Sequence, residues 1–191
     1  MLLKEDSIKI DNIIRNALIE DLGTNYVDVT SDVLIDKSSK STAFIKTRED
    51  CIVSGLEIAK KVFHLIDSGL HIENYCSDGD FLKSKQSLIK IEGSTISILK
   101  AERVALNFLQ RMCGISSLTK SFIKKSSRSD LLVLDTRKTT PGLRLLEKIA
   151  VRAGGGKNHR FGLYDAVMIK DNHFSIFEKN NDFGILNAIK K

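Results

Sequence analysis

Several features are scarce or missing in this 191-residue sequence. It has no tryptophan, one proline and three cysteines, and no apolar run approaches the length of a membrane span. The cysteines, Cys51, Cys76 and Cys113, are odd in number and form no Cys-x-x-Cys pair, so we expect reduced thiols and neither disulfides nor zinc ligands. The first residues, Met1 to Asp6, carry acids and no signal-peptide core. These absences predict a cytoplasmic protein without a membrane partner.

The charge of the chain is basic but not concentrated in one segment. A total of 30 Lys and Arg against 24 Asp and Glu gives a formal net charge of +6, which would permit nucleic-acid binding. Because the lysines are spread along the chain and tryptophan is absent, we expect no nucleic-acid partner. A basic nucleic-acid-binding module stays open as an alternative. With 42% hydrophobic residues the chain can bury a core.

The first 113 residues predict a small sheet with helices. Apolar residues recur at helical spacing from Ile8 to Leu22, where Gly23 ends the pattern, and again from Leu56 to Ile66. We interpret the polar residues 28–32 as a structural turn whose acidic side chains cap a backbone end or lie in solvent at the surface. A long helix is predicted from Ile98, ending where Gly114 breaks it, and we place a domain boundary there. Short strands are predicted at four segments, 42–47, 51–53, 70–75 and 88–91.

Beyond Gly114 the pattern alternates between strand and helix. An apolar run at 131–134 predicts a buried parallel strand, and a second run at 166–169 predicts another. Between them a helix is predicted from Pro141 to Arg152, capped by a preceding threonine and stopped by glycines. A final helix is predicted around 183–189. This alternation is typical of an α/β fold with a parallel sheet or barrel, of which only about two repeats are present.

Basic residues stand where the two predicted strands end. Arg137 and Lys138 follow the first strand, Lys170 follows the second, and His159 with Arg160 lies between them. Ligands of such sheets bind at the carboxyl ends of strands, so we expect these side chains to line one cleft. Solvated surface cations are the simpler explanation. We favour the cleft because these residues lie beside glycines and strand ends, and we expect it to bind polyanions.

Nucleotide-binding glycine loops, the diphosphoribose loop and histidine metal sites all fit this part of the chain poorly. The triplet 154–156 matches neither a Walker pattern nor Gly-x-Gly-x-x-Gly, so we interpret it as a helix terminus. The threonines at 139–140 resemble the diphosphoribose loop of purine-salvage phosphoribosyltransferases. In that loop, however, adjacent acids occupy the place that Arg137 and Lys138 take here. His159 and His173 have no His-x-x-x-His spacing and no nearby cysteine, so we predict no metal ligand.

Four segments in this order closely resemble the motifs of the quinolinate phosphoribosyltransferase family. They are Ala101 to Asn107, Asp135 to Arg144, Gly154 to Arg160 and Ile169 to His173, and the resemblance extends from Ala17 to His173. It implies an α/β fold with an N-terminal α/β sandwich domain at 1–113 and part of a TIM-like α/β barrel at 114–191. It also implies the transfer of phosphoribose from phosphoribosyl pyrophosphate to quinolinate with decarboxylation, in NAD biosynthesis. The products are nicotinate mononucleotide, pyrophosphate and CO2. Mg²⁺ is expected with phosphoribosyl pyrophosphate, and a homodimer or higher homo-oligomer is expected.

The resemblance also implies roles for individual side chains. Arg137, Arg160 and Lys170 clamp quinolinate, while Lys138 and Lys170 are the expected catalytic residues. No side-chain nucleophile is required, because positioning and electrostatics supply the catalysis. The complete set of implied substrate-binding residues is Arg103, Thr136, Arg137, Lys138, His159, Arg160 and Lys170.

Four of these residues have more specific positions in the family. His159 lines the quinolinate pocket, Thr136 lies with Lys138 at the junction with the phosphoribosyl group, and Arg103 reaches into the site of the neighbouring subunit. Family members also continue well beyond Lys191, with acidic residues for ribose and magnesium and with glycine-rich phosphate loops. We therefore expect a fragment or a truncated form. An inactive homologue that binds only anions or a partner subunit, and a related transferase for another heteroaromatic acid, stay open.

Overall fold

A computed structural model describes residues 4–126 and 130–179 of the chain. The chain divides into two compact units, Met1–His159 and Arg160–Lys191. Helices and strands both contribute, which confirms the predicted α/β class. None of the helices in the described part of the chain is both long enough and apolar enough to cross a membrane.

The first unit contains ten of the elements formed by the described residues. In chain order they are α1 Lys4–Leu22, α2 Val29–Leu34, β1 Lys40–Lys46, β2 Cys51–Ile52, α3 Leu56–Ile66, β3 His71–Asn74, β4 Phe81–Leu82, β5 Ser87–Ser94, α4 Thr95–Lys125 and α5 Arg144–Ala153. The second unit contains α6, Asp171–Lys179. Every helix and strand predicted before residue 114 is present and starts within a few residues of its predicted position, but α4 continues past its predicted end. α2, β4 and α6 were not predicted.

The helical pattern of the first segment arises from an apolar stripe. Ile10, Ile14 and Leu18, spaced four residues apart on α1, are fully buried. Gly23 ends the helix because it adopts a φ of 71° and donates its N–H to the carbonyl of Ile19 at 2.9 Å. The predicted stop at this glycine is confirmed.

The sheet is antiparallel, with β5 between β1 and β3. Ile91 of β5 faces Ala43 on one side and Ile72 on the other, and both Ile89 and Ile91 are buried. β2 and β4 form a separate antiparallel pair. α3 and α4 pack together, and each buried Leu, Ile or Phe side chain of this core stabilises the fold by about 1.5–3 kcal/mol.

Gly114 does not break α4, contrary to the prediction. A glycine in a helix interior costs about 1 kcal/mol relative to alanine. That cost is outweighed here by burial on both sides of the glycine, at Met112 and Ser116. The hydroxyl of Ser116 also donates to the carbonyl of Ile52 in β2 at 2.6 Å. α4 is therefore continuous across residue 114 and reaches α5.

Neither strand predicted after residue 114 is formed by the described residues. The segment 131–134 makes one parallel bridge, between Leu134 and Lys157, and the side chains of Leu131, Leu132 and Leu134 are 48–58% exposed. A parallel strand is buried when its sheet is covered by helices on both faces, and among the described residues this segment belongs to no sheet and makes only that bridge. The segment 166–169 is also irregular, and Val167 is 93% exposed. The helix predicted around 183–189 lies outside the described residues.

Candidate active site

The loop of residues 135–143 leads into α5. Residues 141–143 form a turn in which the N–H of Leu143 donates to the carbonyl of Thr140 at 3.0 Å. Gly142 has a φ of 81°, which a continuing α-helix does not allow, so α5 begins at Arg144 and not at Pro141 as predicted. The predicted end of the helix at the glycine triplet is confirmed by the C-cap at Gly154.

Three polar residues of α5 hold this loop. Arg144, Glu147 and Lys148 are spaced at i, i+3 and i+4, so they lie on one face of the helix. Arg144 donates from Nε to Oγ1 of Thr139 at 3.1 Å and from Nη2 to the carbonyl of Arg137 at 3.3 Å. The residues on both sides of Lys138 are thereby attached to the helix.

Glu147 joins the loop to α4 through Arg111. Nε of Arg111 donates to Oε1 of Glu147 at 3.1 Å, and Nη2 of Arg111 donates to both Glu147 and Oγ1 of Thr140. The side chains are 43% and 13% exposed for Arg111 and Glu147, so the ion pair is partly screened by solvent. α4, α5 and the loop meet at this cluster.

Lys148 forms a buried ion pair with Asp135. Their side chains are 4% and 8% exposed, and Nζ of Lys148 donates to Oδ1 of Asp135 and to the carbonyl of His159 at 2.8 Å. Asp135 also accepts from the N–H of His159 at 2.9 Å and from the amide of Asn158. Asn158 donates in turn to the carbonyl of Lys148 at 2.9 Å. These four residues connect the loop at 135–143 with the loop at 157–159.

The sequence interpretation assigned no role to Lys148, Arg111 or Glu147. A signal for Lys148 was present, because Lys148 stands three residues after the buried Leu145 and therefore lies next to it on α5. A lysine at such a position is rarely buried without a partner. For Arg111 and Glu147 we find no local signal, since both occur at ordinary helix positions.

The predicted residues of the first unit lie in different environments. Thr136 and Lys138 are exposed, and the N–H of Lys138 donates to Oγ1 of Thr136 at 3.0 Å. Arg137 is half-buried, and its buried Nε has no hydrogen-bond partner among the described residues. Because a buried guanidinium N–H is normally paired, this donor fits an anionic acceptor. The structure brings this loop close to His159 through Asp135, as described above.

Arg103 lies apart from that loop on α4. Its side chain is exposed, two turns before Arg111, and it makes no hydrogen bond or ion pair within the described part of the chain.

The second unit contains the other two predicted residues. Nη1 of Arg160 donates to the carbonyl of Ala166 at 2.7 Å. The exposed Lys170 immediately precedes α6, and its N–H donates to Nδ1 of His173 at 3.0 Å. Lys170 therefore stands at the start of a helix and not at the end of a strand. The strand argument for Lys170 is wrong, and its inclusion in the site depends on the motif alone.

Comparisons with known proteins agree with the motifs. Residues 28–113 match the family model described as quinolinate phosphoribosyl transferase, N-terminal domain, and residues 115–190 match the C-terminal domain of the same family. The chain is 45% identical over 166 residues to mitochondrial quinolinate phosphoribosyltransferase (decarboxylating) 2b of Nicotiana tabacum, covering 87% of this chain and 46% of that protein. It is 40% identical over 168 residues to a probable nicotinate-nucleotide pyrophosphorylase (carboxylating) of Bacillus subtilis, covering 88% and 57%.

Solved structures give the same result. The chain superimposes on NadC from Streptococcus pyogenes with a TM-score of 0.87 and 39% sequence identity, over 93% of this chain and 62% of that one. It spans about half the length of the curated relatives that it matches. The matches to both family models, the identity over most of the chain and the shared fold lead to one conclusion. The chain belongs to the quinolinate phosphoribosyltransferase family.

Proposed function

We propose that this protein transfers phosphoribose from phosphoribosyl pyrophosphate to quinolinate with decarboxylation, giving nicotinate mononucleotide, pyrophosphate and CO2 in NAD biosynthesis. The main support from the molecule itself is Arg137. Its buried Nε–H has no acceptor among the described residues, and its loop is held by Arg144, Glu147 and Lys148. A fixed arginine with a free buried donor suits a carboxylate, which a guanidinium can bind through two parallel hydrogen bonds.

The substrate explains why several cations are required. Quinolinate has two carboxylates, and one ion pair at contact near a protein surface is worth about 4 kcal/mol before desolvation is subtracted. In this proposal Arg137, Arg160 and Lys170 bind the carboxylates, and His159 lines the same pocket. Together these groups offset the cost of removing a dianion from water.

The chemistry of the substrates then sets the order of events. As pyrophosphate leaves, the ribose carbon gains positive charge and the pyridine nitrogen attacks it. The positive charge of the resulting pyridinium stabilises the electron pair that stays on the adjacent ring carbon when its carboxylate departs as CO2. That carbon then takes up a proton from water. Thr136 and Lys138 lie at the phosphoribosyl junction in this proposal, and Lys138 and Lys170 act electrostatically as its catalytic residues.

Magnesium is proposed to enter with phosphoribosyl pyrophosphate as part of that substrate. In residues 4–126 and 130–179 no group of three or more His, Cys, Asp or Glu side chains can hold a metal ion. In this proposal the phosphates of phosphoribosyl pyrophosphate hold the metal, and we assign no step to it.

The remaining predictions concern organisation and location. We propose that residues 1–113 and 114–191 are the two domains, with α4 continuous across the boundary. We also propose a homodimer or higher homo-oligomer in which Arg103 enters the neighbouring site, which is supported by the exposure of Arg103 on α4. A cytoplasmic location stays a prediction.

Quinolinate binding and turnover test the proposal separately. Calorimetry with quinolinate, followed by quinolinate-dependent pyrophosphate release from magnesium phosphoribosyl pyrophosphate, is measured for the chain, for Arg137→Ala and for Arg152→Ala. Arg152 is an exposed arginine in the last turn of α5 and serves as the control. We expect Arg137→Ala to lose at least about tenfold in quinolinate affinity, a change equal to about 1.4 kcal/mol, with the control unchanged.

Each outcome of this experiment distinguishes one hypothesis from another. Binding without pyrophosphate release would favour a homologue that binds anions only. Neither binding nor release would refute the proposed function. Salt-dependent RNA binding that quinolinate does not affect would favour a nucleic-acid-binding module.

A further inference from the structure

Among the described residues, the ammonium group of Lys148 is the most deeply buried charge that the proposed reaction does not use. Its side chain is 4% exposed, and Nζ donates to Asp135 in one loop and to the carbonyl of His159 in another. Asp135 precedes Arg137 by two residues, and His159 is itself a proposed substrate contact. One cation therefore connects the backbones that carry two proposed substrate-binding side chains.

We infer that Lys148 is a positioning residue for an acidic substrate. It fixes the spacing between the loop at 135–143, which carries Arg137, and the loop at 157–159, which carries His159. The inference rests on the proposed function for the identity of that substrate. Lys148 makes no contact with the substrate in this account. It acts through Asp135 and through the carbonyl of His159.

Stability alone is a weak reason for a lysine at this position. Replacing a buried ion pair by apolar side chains of similar volume is often neutral or stabilising, whereas removing one partner leaves an uncompensated charge. An apolar side chain at 148 would fill the space but would bind neither the carboxylate of Asp135 nor the carbonyl of His159. A displacement of about 1 Å in a binding group can reduce turnover by about a hundredfold, so this attachment matters for binding geometry.

The test compares three variants of the full chain. Lys148→Met removes the ammonium at similar length, and the double variant Asp135→Asn with Lys148→Met removes both buried charges but keeps an acceptor at position 135. Arg152→Met is the control, since it removes one positive charge from an exposed position of the same helix. Thermal unfolding, quinolinate affinity by calorimetry and amide hydrogen exchange of His159 and Ile89 are measured for each.

We expect Lys148→Met to lower the melting temperature and to weaken quinolinate binding at least about tenfold. The His159 amide, which donates to Asp135 at 2.9 Å, should exchange at least about tenfold faster. The amide of the buried strand residue Ile89 should exchange at the wild-type rate, once the change in global stability has been subtracted. The double variant should regain most of the melting temperature but neither the affinity nor the protection of His159. Arg152→Met should match wild type in all three measurements.

The double variant also decides the result if Lys148→Met fails to fold. Wild-type quinolinate affinity together with wild-type protection of His159 in the double variant would show that Lys148 only stabilises the fold, and the inference would be overturned. If the wild-type chain binds no quinolinate, the proposed function fails. The exchange rate of His159 then decides independently whether Lys148 orders the two loops.

Discussion

Gly154 lies where the end of α5 meets the middle of α4. A Cβ added at Gly154 would stand 2.4 Å from the carbonyl oxygen of Ser116 and 2.7 Å from Cβ of Thr119, whereas ordinary contact begins near 3.4 Å. Its φ of −72° is common for any residue, so the requirement for glycine is one of space. Gly154→Ala is therefore expected to push the two helices apart locally by about 1 Å.

The magnitude follows from what the new methyl group would contact. The Ser116 carbonyl belongs to the backbone of a helix, and the fully buried Ser116 side chain is bound to the carbonyl of Ile52, so this neighbour has little freedom to move. Overpacking of a close-packed interior costs about 1–3 kcal/mol. At about 2–4 °C per kcal/mol for a chain of this size, the melting temperature should fall by about 2–12 °C.

Gly114→Ala is the matched control, because it makes the same substitution at an exposed glycine within α4. A Cβ at Gly114 would have no neighbour within 4 Å, so the gain in helix propensity of up to about 1 kcal/mol is not opposed. We expect the melting temperature of Gly114→Ala to rise by up to about 4 °C, as monitored by far-UV circular dichroism during heating. If Gly154→Ala unfolds at or above the wild-type temperature, the close approach of α4 and α5 is wrong.

Three further expectations concern other parts of the first unit. Burial raises the pKa of Cys113 to about 12. Iodoacetamide near pH 8 should therefore modify Cys113 more slowly than an ordinary thiol, by on the order of a hundredfold. Rapid labelling of Cys113 in the native protein would contradict its burial. The hydrogen bonds from the hydroxyl and N–H of Ser31 lower the pKa of Asp28, which caps α2. The charged carboxylate therefore stabilises the folded protein at any pH above the ordinary carboxyl pKa, and this stabilisation is lost as the pH falls through the lowered pKa. Asp28→Ala should therefore cost about 0.5–2 kcal/mol at neutral pH in urea unfolding, and an equal cost in acid, where the carboxyl is protonated, would count against the cap. Arg111→Met should cost about 1 kcal/mol, and a double-mutant cycle with Glu147→Gln that shows no coupling would rule out the ion pair.

Most helices and strands of the first 113 residues, though not α2 and β4, were predictable because their signals are local. The stripe of Ile10, Ile14 and Leu18 indicates which face of α1 is buried, and Gly23 indicates where the helix ends. The β1 and β5 segments likewise carry strand-forming residues between recognisable turns. In each case the residues that determine the element lie within a few positions of each other.

The later strands were not predictable from apolar runs alone. A strand requires pairing with another strand, and the run at 131–134 finds only the bridge from Leu134 to Lys157 among the described residues. The run at 166–169 is also apolar but irregular, and its first two residues are exposed. The apolar composition therefore indicated a preference for strand, but whether a strand forms depends on pairing with another segment, which is a tertiary property.

The candidate site was predictable only where it depends on motifs. The loops around Arg137 and His159 were identified from the sequence, whereas the side chains that fix them, Lys148, Arg111 and Glu147, were not. A fixing residue is defined by what it contacts across the fold, and neither the 13-residue separation of Lys148 from Asp135 nor the 36-residue separation of Arg111 from Glu147 forms a local pattern.

The packing of α5 and the geometry of the loops are therefore physically linked. One end of this helix contacts α4 closely at Gly154, while Arg144, Glu147 and Lys148 on the same helix hold the loop that carries Arg137. A helix displaced at its end by about 1 Å carries these attachments with it, because a close-packed interior transmits strain. Gly154→Ala should consequently weaken quinolinate binding as well as stability. Gly114→Ala should change stability alone, and equal effects of both variants on affinity would show that α5 does not couple the core to the loop.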